Sequence, residues 1–371
     1  MKLYNAVATC AFGLESVLAF ELKRLKVSDI QTSDGRIAFK ASGSDIARAN
    51  IWLRTAERVL IVLAHFHAAT FDELFDGVMA TPLGEIITKT DAFPVKGYSM
   101  NSMLTSVPAC QGIIKKACVE RLKKDLHTEF LPENGGVTKR VRFSLVADEC
   151  TLMLDTSGDG LHKRGYRPLL NEAPIKETLA AGICDLARVF PESEVCDPFC
   201  GSGTLVIESA LRARNIAPGI RRNFAAESYG FLGDRAFDLA REEARDAVDA
   251  DAPFAGRGID IDDTAVATAR DNAKRAGIAD CVSFECGDAT NFRAREGEII
   301  LANPPYGERL LDTASAEKLY EQFGKNILAQ RTKGVYVISS GSDFEKQFGK
   351  KAARRRKLYN GMIPCQLYMY F

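Results

Sequence analysis

The chain has 371 residues, with 49 lysines and arginines balanced by 49 acids and a hydrophobic fraction of 46%, so two or three globular domains are expected at roughly 100–200 residues each. No apolar run reaches the roughly 18 residues of a bilayer-spanning helix, and Glu15 breaks the apolar stretch of the N-terminus. That stretch therefore reads as a strand entering a helix, not a signal peptide, and a cytoplasmic location is expected. The ten cysteines include no C-x-x-C, and Cys118, Cys184, Cys196 and Cys281 fall inside apolar patterns, which predicts reduced core thiols. His65 and His67 have no Cys or acidic partner at ligand spacing, so no metal is expected.

In chain order, the first 55 residues predict a strand at Leu3–Thr9, a helix at Gly13–Leu25, a strand near Arg36–Lys40 and a helix at Ser44–Leu53. Residues 56–165 open with a β-rich run, Arg58–Phe66. Helices at Thr70–Met79 and Ser106–Leu126 follow, then a loop at Leu131–Thr138 and strands at Val141–Ala147 and Thr151–Asp155. Both regions read as small α+β modules. Beyond about residue 170, strand runs at Glu194–Asp197, Gly256–Ile261, Cys281–Cys286, Glu298–Ala302 and Val335–Ser340 alternate with helical stretches. That alternation predicts a parallel α/β sheet. Asn360-Gly361 between Lys357–Tyr359 and Cys365–Phe371 predicts that the sheet ends in an antiparallel hairpin.

The chemistry sits at the strand ends. Asp197-Pro-Phe-Cys-Gly-Ser-Gly-Thr204 closes the first strand of that sheet. Gly201 and Gly203 allow a ligand close to the backbone, and the helix Thr204–Arg214 offers its N-terminus to an anion. Val206 replaces the third glycine of a dinucleotide fingerprint and no Walker lysine follows. The loop instead suits a small carboxylate, such as the methionine end of S-adenosylmethionine (AdoMet). Gly258-Ile-Asp260-Ile-Asp262 ends the second strand, with Asp260 placed for ribose hydroxyls and Asp263 as the cap of a helix running to Ala276, stopped by Gly277. Gly287-Asp288-Ala289 ends the third, where Asp288 can meet an adenine amine.

Asn303-Pro304-Pro305-Tyr306 follows a buried strand. The prolines fix the backbone and keep its carbonyls out of ladder pairing. The Asn303 side-chain oxygen and the Pro304 carbonyl could accept both hydrogens of a base amine, drawing its lone pair out of the ring. Tyr306 adds a face on which an extruded base stacks.

Together these motifs resemble the Rossmann-fold AdoMet methyltransferases that act on exocyclic amines of nucleic-acid bases. Leu161-His-Lys-Arg-Gly-Tyr-Arg167, Ala173-Pro-Ile-Lys-Glu177 and Leu179-Ala-Ala181 are similar to the THUMP-domain RNA guanine-N2 methyltransferases of the RlmL-like group, which acts on large-subunit ribosomal RNA. Phe93-Pro-Val95, Ser106-Val-Pro108 and Gln111–Lys115 resemble the THUMP module itself. The resemblance implies a ferredoxin-like domain at residues 1–55, a THUMP RNA-binding domain at 56–165 and a methyltransferase domain at 166–371. It further implies that Pro174, Thr178, Asp197, Phe199, Gly201, Gly203, Thr204, Asp260, Ile261, Asp288, Ala289 and Asn303 hold AdoMet. Asn303, Pro304, Pro305 and Tyr306 would form the catalytic set. One departure is the single methyltransferase domain, where enterobacterial relatives can carry a second; that puts a double modification in doubt.

Residues 324–357 carry ten Lys/Arg against Asp343 and Glu345, a charge of +8 that suggests a polyanion contact. Lys115, Lys116, Lys163, Arg164, Arg354, Arg355 and Arg356 are the RNA-binding candidates, and structured RNA is the expected partner, with no membrane. The motif chemistry alone leaves adenine N6 open, with DNA a more remote substrate. A non-catalytic RNA-binding protein would be expected to lose Asn303 or Gly201. The oligomeric state is not encoded in any motif.

Overall fold

The structure is a computed structural model that describes residues 2–132, 135–167, 175–305, 313–341 and 343–371. Its first half runs β1 (Tyr4–Cys10), α1 (Glu15–Arg24), β2 (Ser28–Ser33), β3 (Arg36–Ala41), α2 (Gly43–Trp52), β4 (Ala56–His67), α3 (Phe71–Met79), β5 (Val95–Met100), α4 (Val107–Leu126), β6 (Val141–Val146) and β7 (Glu149–Asp155). Polar caps set the helix starts: Ser42 with Asp45, and Thr70 with Glu73, each form a reciprocal capping box. Two expected modules share one sheet, ordered β2-β3-β1-β4-β7-β6-β5. The 12-residue strand β4 joins them, pairing with β1 from Ala56 to Ile61 and with β7 from Leu60 to His67. Neither β2 nor β5 was expected. The edge strand β2, Ser28-Asp-Ile-Gln-Thr-Ser33, buries no residue and so shows no apolar alternation. In β5 the Phe143 ring packs over Gly97, a partner that sequence spacing does not show.

The second half comprises α5 (Glu177–Leu186), β8 (Glu194–Asp197), α6 (Thr204–Ala213), α7 (Ala236–Asp246), β9 (Ala255–Asp260), α8 (Asp263–Ala276), β10 (Val282–Cys286), β11 (Ile299–Ala302), α9 (Thr313–Ile327), β12 (Gly334–Ser339), α10 (Phe344–Phe348), β13 (Arg354–Asn360) and β14 (Ile363–Tyr370). Its sheet runs β10-β9-β8-β11-β12-β14-β13. Strands β8 to β12 run parallel to one another, and β11 and β12 are buried throughout, as a sheet covered on both faces requires. The expected hairpin is present: β14 runs antiparallel to β12, and β13 returns along it with Asn360 opposite Ile363. Between β8 and β11 the strand order changes direction, and ligands of open α/β sheets bind at the carboxyl ends beside such a switch point.

The halves are packed into one body. A continuous buried cluster joins Leu14, Leu18 and Ile51 of the first half to Leu179, Val206 and Ala240 of the second. The Gly219 N–H donates to the Ile51 carbonyl, and a side chain at Gly13 would collide with the Lys357 carbonyl. The helical face formed by α3 and α4 has its own core. Among the described residues no helix is long and apolar enough to cross a membrane.

Candidate active site

Three strand ends are stitched together at the switch point. The Cys200 N–H donates to the Ile259 carbonyl, and Gly287 N–H to the Asp260 carbonyl, both at 2.9 Å. The Asp260 carboxylate, at the end of β9, accepts from the Gly201 N–H at 2.8 Å and the Asp262 N–H at 3.1 Å. Asp260, read from the sequence only as a ribose ligand, thus braces the glycine loop. Gly201 has a φ of 49°, and a Cβ there would meet nothing within 4 Å: the backbone is bare on that side. Gly203 has a φ of 83° and is packed hard, since a Cβ would sit 2.9 Å from Phe284 and 3.0 Å from Ala269. It caps α6, whose first residue, Thr204, is buried.

Asp197 is 2% exposed and accepts from the Phe199 N–H at 2.9 Å. Burial raises its carboxyl to about 8, helped by the charge of Asp260 and opposed by that hydrogen bond. Next to Asp260, Ile261 is 77% exposed. Such a large aliphatic side chain, left in solvent beside the Asp260 carboxylate, offers an apolar face to a ligand. Ala289 is buried, while Asp288 spends its carboxylate locally on Thr290 and Asn291. The cap of α8 is a correction to the sequence reading: Asp262, not Asp263, accepts from the Thr264 N–H, because the cap needs an extended residue and Asp263 is already helical.

Asn303 follows β11, and its side-chain oxygen is buried with no hydrogen-bond partner. Leaving a buried acceptor bare costs about 1–3 kcal/mol, so such a group persists where a ligand completes it. Pro304 is buried, and the Pro305 carbonyl accepts from the Tyr320 hydroxyl at 2.8 Å, which fixes the chain as it leaves the strand. Tyr306, Pro174 and Ala173 lie outside the described residues.

The start of α5 is pinned from two sides. The Arg167 guanidinium donates to Thr204 Oγ1 at 3.1 Å and lies 3.0 Å from Glu177. On the other side Thr178 donates to Glu57 of β4 at 2.5 Å, with Lys176 and His162 also on that carboxylate. Burial alone would raise Glu57, but the His162 and Thr178 hydrogen bonds and the Lys176 charge bring it down to about 2. Arg167 stood inside a quoted motif without a role; Glu57 and Tyr320 carried no sequence signal, being distant in the chain from what they hold.

The expected RNA-binding residues divide. Lys116 and Lys163 are exposed, the latter 3.6 Å from Asp159. Lys115 donates to the Phe93 carbonyl and sits over that ring. Arg164 is interior: it donates to the carbonyls of Arg54 and Leu161 and lies 3.5 Å from Glu208, so in this fold it cannot reach a phosphate. On the edge strand β13, Arg354 is exposed and Arg355 faces Glu345 at 3.5 Å. Arg356 instead donates to the Gly13 carbonyl and the Ser16 hydroxyl, docking the hairpin on the first half. In the first sheet, Glu149 of β7 lies 3.4 Å from His65 and 3.2 Å from His67 of the adjoining β4. No group of three or more metal-ligating side chains is found among the described residues.

Residues 164–369 match the family described as the RMKL-like methyltransferase domain, residues 5–60 match the RlmL ferredoxin-like domain and 68–155 the THUMP domain. The chain belongs to the RMKL-like methyltransferase family. It is 41% identical over its whole length to "Putative RNA methyltransferase YpsC" of Bacillus subtilis, covering 97% of that protein. It is 32% identical over 98% of its length to "Ribosomal RNA large subunit methyltransferase K/L" of Photobacterium profundum, of which it spans 52%. Two solved structures superpose with TM-scores of 0.93 over the whole chain. One, 42% identical and covered to 97%, is described as a "predicted N6-adenine-specific DNA methylase" from Listeria monocytogenes. The other, SMU.472, is 40% identical, covered to 98%, and described as "a putative methyltransferase complexed with SAH". AdoMet is the cofactor of this methyltransferase, and the bare glycine backbone, the strand-end carboxylate and the exposed Ile261 fit it.

Proposed function

We propose that this AdoMet-dependent RNA methyltransferase modifies the exocyclic N2 amine of a guanine in structured RNA, with large-subunit ribosomal RNA as its substrate. The observation that carries the reading is the bare, buried Asn303 oxygen at the switch point of the sheet. AdoMet, when bound, supplies a methyl group on a sulfonium, electrophilic enough for a weakly nucleophilic amine. Asn303 accepts one hydrogen of that amine and the Pro304 carbonyl the other, which keeps its lone pair out of the ring. Pro305, held by Tyr320, fixes that geometry, and alignment supplies much of the acceleration. Tyr306 stacks on the extruded base.

On the cofactor side, Asp197, Phe199, Gly201, Gly203 and Thr204 take the methionine end, with Thr178 and Pro174 closing over it. Asp260 takes the ribose, and Ile261, Asp288 and Ala289 the adenine. Residues 1–55, 56–165 and 166–371 act as the ferredoxin-like, THUMP and methyltransferase domains, the first two presenting RNA to the third. The K/L relatives favour large-subunit ribosomal RNA as the substrate, and guanine follows from the motif resemblance; the Listeria protein's description points to adenine N6, and the same Asn-Pro-Pro apparatus would serve either base. Mass spectrometry of ribosomal RNA from a strain lacking this gene separates them. Loss of one N2-methylguanosine from large-subunit RNA is expected, and loss of an N6-methyladenosine would move the assignment to adenine.

A further inference from the structure

A cavity of about 390 Å³ opens between the two halves of the molecule, lined by Cys10, Ala11, Phe12, Glu57, Lys176, Tyr359 and Gly361. It lies on the catalytic edge of the second sheet. Ser339, the last residue of β12, pairs with Gln366, so the turn at Gly361 and Met362 projects past the carboxyl end of β12. Asn303 leaves β11 at that same edge, because β11 and β12 are parallel and in register. From the other side, Lys176 precedes α5, whose Glu177 is bridged by Arg167 to Thr204 behind the glycine loop.

The lining has the chemistry of a base site. Phe12 is 42% exposed and meets Tyr359 edge-on, their centroids 5.7 Å apart. The Lys357 ammonium lies 6.0 Å from the Phe12 ring and 5.6 Å from the Tyr359 ring. Lys357 is exposed, and no ion pair to it is found among the described residues. The floor holds the Glu57 carboxylate and the Lys176 ammonium 3.5 Å apart, an acceptor beside a donor. A phosphate would be repelled by Glu57, whereas the edge of a base, with its own donors and acceptors, matches both. Exposed aromatic faces with a lysine at the rim are how single-stranded nucleic acid is held without reading long sequence. The volume is that of a small-ligand pocket, and a duplex does not fit in it. Cys10 contributes only a wall: burial, with the nearby Glu15, pushes its thiol up to about 12.

We propose that Phe12, Tyr359 and Lys357 form a subsite for an unpaired nucleotide of the RNA strand flanking the methylated one, with Glu57 and Lys176 facing the edge of its base. The inference rests on the RNA reading above. The flanking nucleotide would bridge the ferredoxin-like half and the catalytic hairpin, so that the first half takes part directly in substrate capture.

The full chain is assayed with large-subunit ribosomal RNA transcribed in vitro and labelled AdoMet. Phe12→Ala and Tyr359→Ala should each raise the KM for RNA by about 5- to 150-fold, the range for losing one base–aromatic stack. AdoMet affinity should hold, and Tyr359→Phe should behave as wild type. Lys357→Gln gives an independent variant that removes no ring, and should raise the KM several-fold. Unchanged RNA KM in Phe12→Ala and Lys357→Gln, with wild-type methylation intact, overturns the subsite and leaves the RNA reading standing. Failure of the wild-type enzyme to methylate this RNA, or total RNA from a strain lacking the gene, overturns the RNA reading and the subsite with it.

Discussion

The centre and the edge of the second sheet use charge in opposite ways. At the switch point the polar groups are held by backbone within a few residues or one strand away: Asp260 by Gly201, Asp197 by Phe199, Asp288 by Thr290. On the edge strand β13 the same arginine type at three consecutive positions does three different things, one in solvent, one beside Glu345 and one clamped to Gly13. A group whose partner is local stays at the strand end where its motif puts it. A long cation takes whatever role the packing around it allows.

That contrast is most open to attack at Arg164, a motif residue whose partners are remote. If it is interior, Arg164→Ala strands Glu208 without its cation and should cost about 3–5 kcal/mol in urea unfolding. A variant of unchanged stability and weakened RNA binding would return Arg164 to the surface. Asn303→Ala, at the centre, should do the reverse. Stability should hold or rise, since a bare buried acceptor is removed, while turnover falls by about 100-fold or more with AdoMet affinity retained. Equal losses in turnover and AdoMet binding would place Asn303 in cofactor binding alone.

The motifs told the centre well. The helix from Asp263 to Ala276 and its Gly277 stop follow the sequence reading, because a left-handed glycine stop is written in one residue. The cap missed by one position, since three aspartates lie within four residues and only the backbone angle at Asp262 chooses among them. The edge strand β2 was invisible because it buries nothing, and Glu57, Tyr320 and Phe12 because their partners are far along the chain. The +8 segment was legible as charge but not as function, for Arg356 is a fastener.

Smaller effects sharpen the edge. Arg354→Ala should reduce the salt dependence of RNA binding by about 0.7 in the log–log slope, the value of one contact to single-stranded RNA. Arg356→Ala should leave that slope alone and lower thermal stability instead. Equal slopes for both variants would erase the distinction. Asp197 supplies a pH signature. Its folded carboxyl, near 8, lies above the unfolded value, so the native state holds a proton that the unfolded chain loses. Its contribution is present in full at low pH and is lost as pH rises from about 4 to 8. Asp197→Asn should flatten that fall in unfolding curves at pH 5, 7 and 8.5, and an unchanged profile would mean the carboxyl is ionised in the fold.

The amine transfer itself is tested most directly by digesting RNA labelled in vitro by the full chain and identifying the methylated nucleoside. N2-methylguanosine is the predicted product, absent with Asn303→Ala. Labelled N6-methyladenosine would correct the base and keep the Asn303 chemistry. Label on a ring carbon or a ribose oxygen would contradict both.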